Sequence, residues 1–318
     1  MKVFINFIFV SLITITTGCK SVAANNNLHN TFYPITDYNI SGSGPDTLLL
    51  IPCMSCRWNE WETFMEKNKE KYTMFAITIP GFGGTPEPKL LINDYDDAIW
   101  RGQLMQSISA FIDENGIKQA TVVGHSWGVQ LAIQIAAIRA DVFKKVIAVD
   151  GTIESTSVIP KDENERIRQI KEIEEYGQFL AEDPEEWRKF NRATYQYNKD
   201  TLRKEDVDWA LKLHGSFMAT SKVALIQYWR ENLIVDLDFY LHKIKVPILN
   251  IQSFAGKNQE KQKEKYFGKL QAVGNPANVT TVILYDTYHF IMQHRPEILD
   301  QCIWAFIKDI ELKKEYRF

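Results

Sequence analysis

Gly124-His125-Ser126-Trp127-Gly128 constrains this chain more than any other stretch. It follows Ala120-Thr121-Val122-Val123, a β-branched run that reads as a buried strand. It precedes Val129 to Ala137, where good helix formers carry apolar residues at helical spacing. Strand must turn into helix with almost no loop between them. Glycines on both sides of Ser126 let the two backbones pack closely at that bend. The serine is thereby pushed onto a strained corner, its hydroxyl exposed and a helix N-terminus beneath it: the G-x-S-x-G nucleophile elbow. The bare pattern occurs by chance in solvent loops, so the flanking strand and helix are what give it weight.

The rest of the chain alternates in the same way. Strand signals stand at Thr47–Ile51, Thr73–Ile79, Lys145–Val149, Val246–Ile251 and Val279–Leu284. Between them, helical character runs from Trp58 to Lys69 and from Asp96 to Asn115, and a last amphipathic helix begins near Pro296. Such alternation implies an α/β fold with a mostly parallel sheet covered on both faces. From about Asp162 to Ile234 the period changes to charged, aromatic-rich helix with no convincing strand. That stretch falls between two strands, above the carboxyl ends where such sheets bind ligands, so it reads as an inserted lid. The expected division is a leader at 1–18, a tether at 19–31, a core of 32–153 with 236–318, and a helical cap at 154–235.

With these segments in place the chain resembles an α/β-hydrolase with a helical cap across most of residues 45–310. The resemblance is carried by Pro80-Gly81-Phe82-Gly83-Gly84, the elbow, Asp150, and His289-Phe290-Ile291-Met292 ahead of Pro296-Glu297. It implies a serine nucleophile, a histidine base and an orienting acid, met along the chain in the order serine, acid, histidine. Of six histidines, His29 and His125 precede or sit inside the elbow, His214 and His242 lie on or beside the lid, and His294 is too far along. His289, just past the last strand, stands where the family places its base.

The acid departs from the commoner pattern, because Gln252 to Asn258 after the Val246–Ile251 strand signal contains no carboxylate. Glu260 beyond it begins a solvated helix. Some relatives carry the acid one strand earlier, which implies Asp150; an aspartate that merely bonds the following turn is the other reading. Asp286 is the runner-up, only three residues before His289. For the oxyanion hole the resemblance implies the backbone N–H of Trp127 and that of Met54, where Pro52-Cys53-Met54 replaces the usual His-Gly. Trp187, Tyr195, Tyr197, Trp209, Phe217, Tyr228 and Trp229 of the lid serve as cap core or line an apolar pocket.

The implied activity is hydrolysis of a small-to-medium apolar carboxylic ester, with no metal or organic cofactor required. Lactonase, C–C hydrolase and perhydrolase chemistry share the triad. A serine at the elbow argues against the haloalkane dehalogenase and epoxide hydrolase branches, which use aspartate there. A silent binding protein of the same fold is the other class.

The N-terminus adds an address. Met1-Lys2, the apolar run Val3–Ile13 and Thr16-Thr17-Gly18-Cys19 describe a bacterial export signal ending in a lipobox-like sequence. Cys19 would then be the lipid-bearing first residue in the cell envelope, on its periplasmic or surface side, and the only membrane attachment. Removing residues 1–18 takes away Lys2, so the formal charge moves from −3 to −4. With no basic cluster, nucleic acid is excluded as a partner and a small ester-like molecule is expected. In an oxidising compartment Cys53 and Cys56 could close a small disulfide and fix the loop that carries Met54. Four cysteines at this spacing do not make a metal cluster, and Cys302 reads as a buried thiol.

Overall fold

Eight strands form one sheet in the order β1-β3-β2-β4-β5-β6-β7-β8, parallel except for β1 against β3. The strands are β1 Tyr38–Ser41, β2 Asp46–Ile51, β3 Tyr72–Ile77, β4 Ala120–His125, β5 Phe143–Val149, β6 Ile248–Phe254, β7 Val279–Tyr285 and β8 Glu315–Tyr316. This computed structural model describes residues 33–88, 98–155, 159–160, 162–189, 192, 207–274 and 276–318. The leader at 1–18, the tether with Cys19, and Tyr195 and Tyr197 lie outside the described residues.

Hydrophobic runs buried on both faces are what a helix-covered parallel sheet requires. Leu48, Leu49, Leu50 and Ile51 of β2 are all fully buried. Leu49 and Ile51 point into the layer of α2 (Ile99–Glu114) and α3 (Trp127–Ile138). Leu48 and Leu50 point into the layer of α1 (Glu62–Asn68) and α10 (Pro296–Ile307).

The strand order reverses direction between β2 and β4, which makes a crevice at the carboxyl ends. Ile51 pairs with Gly124 and His125 with Val149. The Pro52–Met54 loop, Ser126 and Asp150 therefore leave the sheet side by side.

The cap enters after β5 and returns before β6. Among the described residues its helices include α4 (Glu163–Glu182), α5 (Val207–Ala219) and α6 (Lys222–Glu231), with α4 packed along α6. Where the insert begins and ends, Ser155 ties its two arms together. Its N–H donates to Asp238 Oδ1 at 2.8 Å and its hydroxyl to Asp236 Oδ1 at 3.0 Å. Asp236 in turn caps α7 (Leu237–Leu241) through the Asp238 N–H.

Three local expectations differ from the structure. The helix expected from Trp58 begins as a 3-10 turn, Trp58–Trp61, because the Trp58 N–H goes to Thr78 Oγ1 and Glu60 is folded inward. β6 continues to Phe254 because β7 offers it partners through Tyr285. The two edge strands β1 and β8 were not foreseen; both are short and partly polar. α8 (Gln259–Ala272) is the charged helix expected near Glu260, and α9 (Ile291–His294) is a single turn ahead of α10.

Candidate active site

Ser126 sits at φ +53°, ψ −120°, just ahead of α3. A non-glycine residue there carries a strain of roughly 1–3 kcal/mol and persists only when its surroundings over-determine it. They do so here. The Ser126 N–H donates to Val149 O at 2.9 Å, and its carbonyl accepts from Val129 N–H at 3.1 Å. A Cβ on Gly124 would lie 2.3 Å from Gly128 O, and one on Gly128 would lie 2.4 Å from Pro52 O. Both glycines are demanded by contact between β4, α3 and the loop after β2.

Asp150 ends β5, also with positive φ, at +46°. One carboxylate oxygen accepts the Ser253 N–H at 2.7 Å, and the other meets His289 Nδ1 at 2.6 Å. The end of β6 thus supplies a backbone donor that steadies the Asp150 carboxylate of the neighbouring strand. Asp286 does not share this place: it is exposed, with its carboxylate on Gln259 Nε2 and its N–H on Gln259 Oε1. With Nδ1–H directed to Asp150, His289 keeps its lone pair on Nε2. The structure brings Asp150 and His289 into contact, and Ser126 leaves the adjacent strand β4 at the same carboxyl end of the sheet.

The loop after β2 holds Met54. Cys56 N–H donates to Cys53 O at 3.1 Å, and Ser55 takes φ +65°, making a tight turn closed by the Cys53–Cys56 disulfide. Glu60, 1% exposed, reaches back so that Oε2 accepts the Cys53 N–H at 2.7 Å. Its Oε1 contacts His125 Nδ1, and His125 Nε2 donates to the His289 carbonyl at 3.0 Å. Burial opposes charge on His125, but the Glu60 carboxylate outweighs it and raises the imidazole pKa. One chain of contacts thereby runs from the Met54 loop to the backbone of His289. The glycine missing from this loop is replaced by a cross-link and a buried ion pair.

Trp127 opens α3, where N–H groups lie ahead of the first helical hydrogen bond. Its indole N–H donates to Asn232 Oδ1 at 2.7 Å, and Arg101 stands 5.2 Å over its ring. Arg101 itself is 1% exposed and bonded to Gln134, Gln130 and Asn232. Burial lowers its pKa to about 10, against the pull of Glu231. Glu231 accepts the N–H groups of Trp100 and Arg101 at 3.1 and 2.7 Å. Sequence reading missed this network. Its one visible signal was an arginine beside Trp100 in the otherwise apolar stripe of α2.

The cap closes over the site with apolar groups. Tyr228 packs against Trp127, Phe82 and Trp100 at ring separations of 5.3, 5.5 and 5.4 Å. Met54 leans on a cluster of Leu180, Trp187 and Leu225. Trp209 of α5 donates to Glu60 O at 3.3 Å and stacks edgewise on Phe290. Phe217 is likewise buried and Trp229 half-buried. Outside the site, His242 Nδ1 meets Asp238 O, and His294 Nδ1 accepts the Tyr288 N–H. His214 lies on α5, in the cap.

Comparison with known proteins places this geometry. Residues 46–293 match the family described as alpha/beta hydrolase fold. The dihydrolipoyllysine-residue acetyltransferase component of the acetoin cleaving system of Cupriavidus necator is 30% identical over 112 residues, 35% of this chain and 27% of that protein. Epoxide hydrolase 3 of Mus musculus is 22% identical over 283 residues, 85% of this chain and 72% of its own length. The chain thus spans about a quarter of the first relative and nearly three quarters of the second. Among solved structures, the enol-lactonase from Burkholderia xenovorans LB400 superposes with TM-score 0.63 at 16% identity, covering 87% of this chain and all of that one. From residue 46 to 293, the chain belongs to the alpha/beta hydrolase fold family.

Proposed function

We propose that Ser126, His289 and Asp150 act as a catalytic triad, and that the chain hydrolyses a small-to-medium, largely apolar carboxylic ester through an acyl-enzyme. The observation that carries this reading is the 2.6 Å contact of His289 Nδ1 with Asp150, beside a serine held on a strained elbow. Nε2 of His289 takes the Ser126 proton as Oγ attacks the ester carbonyl, then returns it to the departing alkoxide. Water repeats the sequence to release the acid. The Asp150 carboxylate orients His289 and steadies the imidazolium. The N–H groups of Trp127 and Met54 receive the oxyanion, each worth about 3 kcal/mol in the transition state.

The apolar wall of Met54, Leu180, Trp187 and Leu225 favours an uncharged acyl or alcohol group. Ser126 favours acyl transfer over epoxide opening, for which the related branch uses an elbow aspartate. Lactonase, C–C hydrolase and perhydrolase activities rest on the same triad.

Fluorophosphonate labelling of residues 20–318, with p-nitrophenyl esters of graded chain length and a lactone panel, tests the reading. Wild-type protein labels and turns over; Ser126→Ala loses both, His289→Ala loses turnover, and Asp150→Asn lowers kcat by about 10⁴. No labelling of folded wild-type protein returns the chain to the binding-protein class. We further propose that the mature chain is anchored at the cell envelope by a lipid on Cys19. Palmitate incorporation that survives Cys19→Ala sinks that assignment.

A further inference from the structure

Beneath the Met54 loop, Cys53 Sγ, a Glu60 carboxylate oxygen and a His125 ring nitrogen lie within 4.8 Å of one another, all three residues buried. Cys56 Sγ is bonded to Cys53 Sγ and equally buried. The second polar atom of each non-thiol donor is already committed. His125 Nε2 donates to the His289 carbonyl, so Nδ1, whose proton is shared with Glu60, becomes a lone pair once that proton leaves. Glu60 Oε2 holds the Cys53 N–H, which leaves Oε1 free to face that lone pair. A histidine with one N–H on a backbone carbonyl and its other nitrogen on a carboxylate has the outer-shell arrangement of a metal ligand, and here a sulfur lies within 4.8 Å of the pair. Two acceptors facing each other in a dry site also demand a positive charge between them. In the disulfide state a proton meets that demand.

We propose that, in its dithiol state, the chain binds one zinc-class divalent cation through Cys53, Cys56, Glu60 and His125. Two thiolates, an imidazole and a carboxylate are a borderline-soft set that suits tetrahedral zinc and disfavours magnesium or calcium. At bond lengths of about 2.0–2.3 Å, tetrahedral ligand atoms stand roughly 3.3–3.8 Å apart. The Glu60 and His125 atoms, now in direct contact, part to admit the ion, and Cys56, outside that group of three, joins it once freed from Cys53. An external dithiol supplies two electrons and two protons to the S–S bond and becomes a disulfide itself, leaving two thiols here. The cation then displaces both thiol protons and the proton between Glu60 and His125. Disulfide and metal are thus alternative, mutually exclusive ways of closing the same turn. Both close the Met54 turn, and the metal would also tie it directly to His125 of β4.

Cobalt(II) titration of residues 20–318, reduced with dithiothreitol, desalted without oxygen and compared with the oxidised protein, tests this. The reduced protein is expected to take up one equivalent with a thiolate-to-cobalt charge-transfer band and strong tetrahedral d–d bands, lost when zinc is added. The oxidised protein, identical in sequence, shows neither band. Cys56→Ser and His125→Gln each weaken zinc binding by about a hundredfold. The proposal falls if reduced, folded protein shows no such bands, or if oxidised protein or either variant binds as the reduced wild type does. It falls equally if the bands appear only with loss of native circular dichroism. None of these readouts involves turnover, so their failure is separate from failure of the triad.

Discussion

Arg101 shows how much a single side chain can be asked to hold. Its guanidinium is shut away from water and bonded to three neutral amide side chains from α3 and from the end of α6. Arg101→Met keeps most of the volume but strands those amides and leaves the Glu231 carboxylate buried without its countercharge. The expected loss is about 3–5 kcal/mol, read as a lower urea midpoint. Adding Glu231→Gln should recover part of it, since the two side chains are electrostatically coupled. Fully additive losses would show that they act separately. Cys302 makes the opposite point about exposure. Burial pushes its thiol up to about 11, so at pH 8 only about one molecule in a thousand carries the thiolate. Iodoacetamide should leave it unmodified in native protein and modify it in guanidinium; equal rates in both would contradict the buried assignment.

At the scale of elements, two glycines in neighbouring helices should answer in opposite directions to the same substitution. Gly128 in the first turn of α3 faces the carbonyl of Pro52, with no room for a methyl group. Gly128→Ala must push α3 away from the loop after β2 and is expected to cost about 3 kcal/mol. Gly102 in α2 has nothing within 4 Å of the place a Cβ would take. There Gly102→Ala should stabilise by about 0.5–1 kcal/mol, because it restricts the unfolded chain and favours helix. Thermal melts of the two variants decide the matter. Matching destabilisation would mean that the close approach at the elbow is not what sets the cost.

Across the whole molecule, what the sequence made legible is what depends on neighbours along the chain. The buried strands announced themselves through β-branched runs, the elbow through its glycines, and the lid through a change of period. Asp150 stands out as a candidate because the segment after β6 lacks a carboxylate; its partner Ser253 N–H is invisible in the sequence, since backbone donors leave no mark there. Glu60 and His125 are 65 positions apart, and nothing local in either predicts that they meet. Arg101 reaches Asn232 across 131 positions for the same reason. β1, only four residues long, is paired through register with β3 rather than through any strong preference of its own.

The Ser155 knot bears on how such a molecule can change over time. Both arms of the cap leave the core at one point, held by a serine and two aspartates, and among the described residues no strand pairing joins the cap to the sheet. An insertion attached in this way is a cassette. Lengthening, trading or remodelling it disturbs the hinge-side hydrogen bonds and the aromatic seam above Trp127, while the sheet below, and the three side chains gathered at its edge, keep their places. New molecular tastes can therefore be acquired by rewriting the roof alone.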